Sequence, residues 1–107
     1  MMSILRFHPA DSSTFEAEVT SALKVISSCA GFVRATVGRS TDDPQAWVLM
    51  TEWESVGSYR RGLGGSAVRM AAMPLLSQAI DEPSAFEPLI TSDACGGVVV
   101  RESDRND

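Results

Sequence analysis

The chain has 107 residues, 44% of them apolar and 21% charged, with a formal net charge of −5 at pH 7. That size and composition suit one globular domain with a core of its own, and the acidic balance excludes a nucleic-acid groove, Arg60-Arg61 being the one close basic pair on a plausible face. No run approaches the roughly 18 consecutive apolar residues of a membrane span.

"MMSILRFHPADSS" lacks the apolar run and small-residue cleavage site of a secretory signal. Cys29 and Cys95 lie far apart with no CxxC spacing, so reduced thiols and a cytoplasmic location are the expectation.

"SILRFHP" alternates, Ile4, Arg6 and His8 against Leu5 and Phe7, and reads as a strand stopped by Pro9. Ser13 and Glu16 then offer an S-x-x-E capping box. Phe15, Val19, Ala22, Leu23 and Ile26 make one apolar helical face, with Gly31 expected as the C′ glycine. "GFVRATVGRS" alternates again, Phe32, Arg34 and Thr36 against Val33, Ala35 and Val37. After the turn "STDDPQ", "AWVLMTEW" places Trp47, Leu49, Thr51 and Trp53 on one face and Val48, Met50 and Glu52 on the other. Neither face is plainly wet. A sheet apolar on both sides must be covered twice, most simply by helices on one face and a second copy of the chain on the other.

From Ser55 the period changes. Val56, Tyr59 and Leu63 share one face of a short helix that Gly64-Gly65 ends. "SAVRMAAMPLLSQAI" resumes as helix with Ser66 as its N-cap and Pro74 inside, and its apolar residues run nearly all round, which predicts thorough burial. "DEPSAFEPLIT" reads as a fourth, edge strand because of its prolines, and "GGVVVRE" as a fifth. The order is the α+β, ferredoxin-like βαββαβ topology with an antiparallel sheet. We expect a single domain over residues 1–100 and a disordered tail over 101–107.

At "GFVRATVGRSTDDPQAWVLMTEWESVGSYRRGL" the chain resembles the antibiotic biosynthesis monooxygenase (ABM) family, with the likeness covering roughly residues 4–89. Its most specific element is a strand ending in Glu52-Trp53-Glu54-Ser55 that runs into a helix with an aromatic six residues after the tryptophan. The resemblance implies a dimeric α+β barrel. Implied activities range from cofactor-free oxidation of aromatic polyketides with O₂ to haem degradation, chemistry on small quinone-like signals, or none, so fold membership narrows the reaction little. It matches the strand-end tryptophan to Trp53 and the tyrosine of the polyketide oxidisers to Tyr59. It puts Leu49 where those oxidisers carry Asn, and Gly62 where many members carry His. A helix arginine of the polyketide branch has only a near counterpart, Arg69.

A cofactor-free oxygenase needs a dry pocket and a few hydrogen-bond donors beside an electron-rich ring. Trp53 offers an aromatic wall and an indole N–H, Tyr59 a phenolic O–H, and Arg34 or Arg69 a cation for an enolate. Each has a structural reading beside it: Trp53 as core, Tyr59 as a helix residue with a wet hydroxyl, Arg34 as an interfacial ion pair. His8, the only histidine, is either a base at a barrel mouth or a strand-end residue. Leu49, Trp53, Tyr59, Met70 and Met73 would line the substrate pocket, the methionines equally suiting helix packing.

One histidine and no close Cys/His/carboxylate cluster give no metal set, and helices without histidine give no haem ligand. Gly62, Gly64 and Gly65 lack the setting and lysine of a phosphate loop. No metal and no cofactor are expected. The expected function is a cytoplasmic, homodimeric, cofactor-independent monooxygenase acting on a small aromatic, polyketide-like or quinol molecule. A non-catalytic binder of such ligands on the same fold is the alternative.

Overall fold

Alternation decides the first strand. In the computed structural model, which describes residues 1–103, β1 (Met2–Phe7) turns Ser3, Leu5 and Phe7 toward the core, Ser3 and Phe7 fully buried. Helix α1 (Ser12–Ile26) follows and buries Phe15, Val19, Ala22 and Ile26, the expected stripe. Its cap differs from the expected box. Asp11 is the N-cap, its carboxylate accepting from the N–H groups of Ser13 and Thr14, because it sits one residue before the first helical turn. The helix also ends at Ile26 with Ser27 as C-cap, so Gly31 (φ 85°) serves instead the turn into the next strand.

β2 (Phe32–Arg39) and β3 (Trp47–Trp53) form the expected antiparallel hairpin. Strict alternation fails at the start of β2. A register shift between Phe32 and Arg34 puts Phe32 against the core with Ala35 and Val37, while Val33 is exposed. In β3 the pattern holds along the whole strand, with Trp47, Leu49, Thr51 and Trp53 all buried. Trp47 packs against Phe15 and lies under the Arg39 guanidinium, 5.3 Å from the ring centroid.

The second helical region is two helices. α2 (Val56–Gly64) is closed at its start by a reciprocal box between Ser55 and Ser58, and α3 (Ser66–Leu76) begins at once after Gly65. Gly65, not Ser66, is the N-cap of α3, and no side chain caps it. The expected all-round burial of α3 is not found. Val68, Ala72 and Leu75 are buried, whereas Met70 is 83% and Met73 52% exposed, because α3 packs on α1 along one face only.

The strands β2-β3-β1-β4 form one antiparallel sheet, the ferredoxin-like order, with both helical layers on a single face. β4 (Ala85–Phe86) is an edge strand as expected but only two residues long. The apolar segment after it departs from expectation: β5 (Ile90–Ser92) and β6 (Val98–Val100) pair with each other as a separate hairpin whose Ile90 and Val98, Val99 and Val100 are exposed. Residues 101–103 follow as exposed coil, and residues 104–107 of the expected tail lie outside the described residues. No described helix is long and apolar enough to cross a membrane.

Candidate functional site

Trp53 ends β3 on the helix-facing side and is 3% exposed. Phe32 meets its ring edge-on at 5.4 Å between centroids, and Tyr59 from α2 meets it at 5.8 Å with planes at 73°. Polar atoms fix the indole within this aromatic cluster. Its Nε1–H donates to Thr51 Oγ1 at 2.9 Å, and that hydroxyl in turn shares a 2.5 Å hydrogen bond with Ser3 Oγ. Ser3 and Thr51 are both buried, so the three groups satisfy one another inside the core. The indole N–H that sequence offered as a substrate donor is therefore occupied.

Tyr59 is placed by α2, one turn after the Ser55–Ser58 box, and is half-buried. Burial pushes its phenol above the ordinary tyrosine range, and a hydrogen bond with Ser84 opposes that rise in part. A phenol so held stays protonated and can donate to a developing anion. Trp53 and Tyr59 are the two expected site residues that the fold brings into contact.

The others fall elsewhere. Leu49, on the same strand face, is 1% exposed and filled around by the core. Arg34 stands on the opposite face of the sheet, its Nε 2.7 Å from Glu52 Oε2 within the same chain, in register across the hairpin. Arg69 and His8 are exposed. His8 follows Phe7, which pairs with Trp47, whereas the Met1 carbonyl accepts from the Trp53 backbone, so His8 and Trp53 lie at opposite ends of the sheet, roughly 20 Å apart at strand rise. Met70 and Met73 are exposed on α3, whereas Trp53 is buried.

Gly62 explains one departure from the resemblance. A Cβ there would stand 2.9 Å from both Cη2 and Cζ3 of Trp53 and 3.3 Å from Cys29 Cβ. The indole occupies the space that a side chain at 62 would need. Outside Gly62 and Gly65 opens a groove of about 460 Å³ between the end of α1 and the joint of α2 with α3, bordered by Cys29, Arg61, Ser66 and Ala67.

Sequence reasoning missed Thr51, Ser3 and Ser84. Thr51 was readable: it is the one polar residue on the buried face of β3, two positions from Trp53. Ser84 had no local signal, because its nearness to Tyr59 comes from the return of the chain to the sheet edge. Among the described residues, no group of three or more His, Cys, Asp or Glu gathers as a metal cluster.

Comparison with known proteins adds the family. The sequence model described as antibiotic biosynthesis monooxygenase matches residues 2–71. Among solved structures, SnoaB of Streptomyces nogalater, described as a cofactor-independent oxygenase, is 23% identical with a TM-score of 0.68 over 82% of this chain and 94% of its own. Rv0793 from Mycobacterium tuberculosis is 17% identical with a TM-score of 0.65 over 87% and 96%. A conserved protein from Methanosarcina mazei Go1 is 14% identical with a TM-score of 0.65 over 94% and 91%. At these identities the likeness establishes the fold. Among curated proteins, none matches the sequence.

Proposed function

The chain belongs to the antibiotic biosynthesis monooxygenase family, and from that premise we propose that it is a cofactor-independent monooxygenase for an aromatic polyketide-like or quinol substrate. The observation that carries this reading is the half-buried Tyr59 phenol set against the Trp53 ring, 5.8 Å between centroids with the planes at 73°. For an anthrone, the balanced reaction takes one substrate and one O₂ to the quinone and water. The substrate methylene gives up its hydrogens and supplies all the electrons. Loss of the first proton to a water molecule leaves an enolate, which the Tyr59 hydroxyl stabilises by donation beside the Trp53 ring. The enolate then reduces O₂, the carbon–oxygen bond forms, the peroxide anion takes a proton back, and loss of the second C–H proton with O–O cleavage gives the quinone carbonyl and water. Arg69 remains the nearest expected cation by sequence, exposed on α3.

A non-catalytic binder of small aromatic molecules is the second reading. It is favoured by the Trp53 N–H spent on Thr51, the buried Leu49, and a position 62 without a side chain.

We further propose that the working unit is a homodimer in the cytoplasm. The outer sheet face carries half-buried Ile4, Val48 and Met50, and Val33 and the hairpin strand of Val98, Val99 and Val100 are exposed. That is apolar surface a second copy would cover. Both cysteines are free thiols, which suits a reducing compartment.

The test is oxygen uptake by metal-stripped protein with a panel of anthrones and hydroquinones, repeated with Tyr59→Phe and Trp53→Phe. Uptake above the spontaneous rate that falls in both variants supports the enzyme. Spontaneous rates throughout, with tryptophan fluorescence quenched by the same compounds, support the binder.

A further inference from the structure

We propose that Ser84 is a positioning residue for Tyr59, its hydroxyl donating to the phenol oxygen and so leaving the Tyr59 O–H free for a bound molecule. The inference rests on the reading of Tyr59 as the donor to a developing anion, and it brings to that site a residue from a distant part of the chain.

The backbone holds Ser84 in place from both sides. Its carbonyl accepts from the Ile4 N–H at 2.7 Å, and the next residue, Ala85, lies opposite Ser3 in the β1–β4 pairing. Upstream, the Ile80 N–H donates to the Arg6 carbonyl at 2.8 Å, and the Arg6 guanidinium donates twice to the Glu82 carboxylate, at 2.6 and 2.7 Å. The segment that carries Ser84 is thus tied along β1 at Ile4 and Arg6. Ser3 has a second duty, because it also lies opposite Thr51 and shares a hydrogen bond with it, and Thr51 holds the Trp53 indole. One position of β1 therefore registers both the residue that fixes Trp53 and the strand end that meets Tyr59, whose rings stand 5.8 Å apart.

The sense of the Ser84–Tyr59 bond decides what Tyr59 can do. A hydroxyl has one hydrogen to give and can also accept. The Trp53 N–H shows the unproductive case, since it is spent on Thr51 at 2.9 Å. A phenol donating to Ser84 would be spent in the same way, and its neutral form would be favoured over the anion. The contact works in the opposite direction. It lowers a phenol that burial raises, as an O–H donated to the phenol oxygen does. Burial and Ser84 are the two influences on this group, and among the described residues no charged side chain is a third.

The chain has one tyrosine, so its spectra report Tyr59 alone. The tyrosine Fermi doublet in the Raman spectrum changes its intensity ratio with the role of the phenol, rising when the oxygen accepts a hydrogen bond and falling when the hydroxyl only donates. It is read at neutral pH and without substrate on the native protein, Ser84→Ala and Ser84→Thr, with tryptophan emission checking the fold of each. We expect an acceptor-type ratio in the native protein, a fall in Ser84→Ala, and the native ratio again in Ser84→Thr, which keeps the hydroxyl. In an alkaline titration of tyrosinate absorbance, ionisation of Tyr59 becomes roughly two- to tenfold less favourable in Ser84→Ala, the range of one net hydrogen bond. A donor-type ratio in the native protein, a ratio unchanged in Ser84→Ala, or easier ionisation in that variant overturns the proposal. Because no substrate enters, the outcome is separate from the oxygen-uptake test: an acceptor-type Tyr59 in a protein without uptake upholds Ser84 and refutes the oxygenase alone.

Discussion

Replacing Gly62 with alanine sets two known effects against each other at one atom. Alanine in place of glycine inside a helix favours folding by about 0.8–1 kcal/mol, and Gly62 lies within α2. Against that, the new Cβ would stand 2.9 Å from Cη2 and Cζ3 of Trp53, whereas carbon atoms rest about 3.5–4.0 Å apart. The ring must therefore retreat by roughly 0.6–1 Å. It has little freedom to do so, being tied through Nε1 to Thr51 at 2.9 Å and met edge-on by Phe32 and Tyr59. Overpacking of this kind costs about 1–3 kcal/mol, so the net expectation is a loss of about 1 kcal/mol. In a Trp53→Phe background both clashing atoms are gone, and Gly62→Ala becomes stabilising by up to about 1 kcal/mol, less what the 3.3 Å approach to Cys29 Cβ takes back. Guanidinium unfolding followed at 222 nm on the four proteins measures the cycle. A stabilising Gly62→Ala in the native background, or the same change in both backgrounds, would refute the reasoning.

On the alkaline side, burial raises the Tyr59 phenol above its unfolded value of about 10. Its contribution is then full below pH 10 and is lost as pH rises through the folded value, so Tyr59→Phe flattens the alkaline fall in a titration of Tm. The acid side has the opposite sign. Hydrogen bonds from Ser13 and Thr14 hold the Asp11 carboxyl below its usual range. That contribution is present above the ordinary carboxylate pKa and lost as pH falls through the lowered one, and Asp11→Asn, which can still cap, reduces the slope of Tm between pH 5 and 2. In light scattering the protein is expected at twice the 11.5 kDa of the chain, with Met50→Glu on the outer sheet face shifting it to the single-chain mass. Native protein at the single-chain mass refutes the covered face.

Period-2 alternation in β3 and the Phe15–Ile26 stripe of α1 were readable because one face of each is buried by the chain's own elements. The bulge at Phe32 was not. A bulge is a property of the pairing between two strands, and the residues of one strand alone carry no sign of it. α3 misled for another reason: apolar content shows that a helix resists water, not which of its faces the same chain covers, and Met70 and Met73 belong to the uncovered side. At the site, Trp53 and Tyr59 were legible from spacing along one strand and one helix. For Arg34 the sequence left an interfacial ion pair and a functional charge side by side; alternation opposite Ala35 and Val37 already sets it on the outer face, where its ion pair is with Glu52 of the same hairpin. The meaning of Gly62 waited for the third dimension, since its reason lies in a ring from another element.

The strand order carries a consequence for synthesis. β1 lies inside the sheet, between β3 and β4, and its main partner is far along the chain, Phe7 opposite Trp47 and Met2 opposite Glu52. At a ribosomal rate of about 5–20 residues per second, β1 exists for seconds before β3 is made, while the β2–β3 hairpin closes in microseconds once both strands are free. During that interval Leu5 and Phe7 have no sheet to join. The nearest cover is α1, whose Phe15 ring meets that of Phe7 at 5.0 Å across a span of only eight residues. That aromatic contact is short-range enough to form on the nascent chain, so α1 can shelter the first strand until its partner emerges.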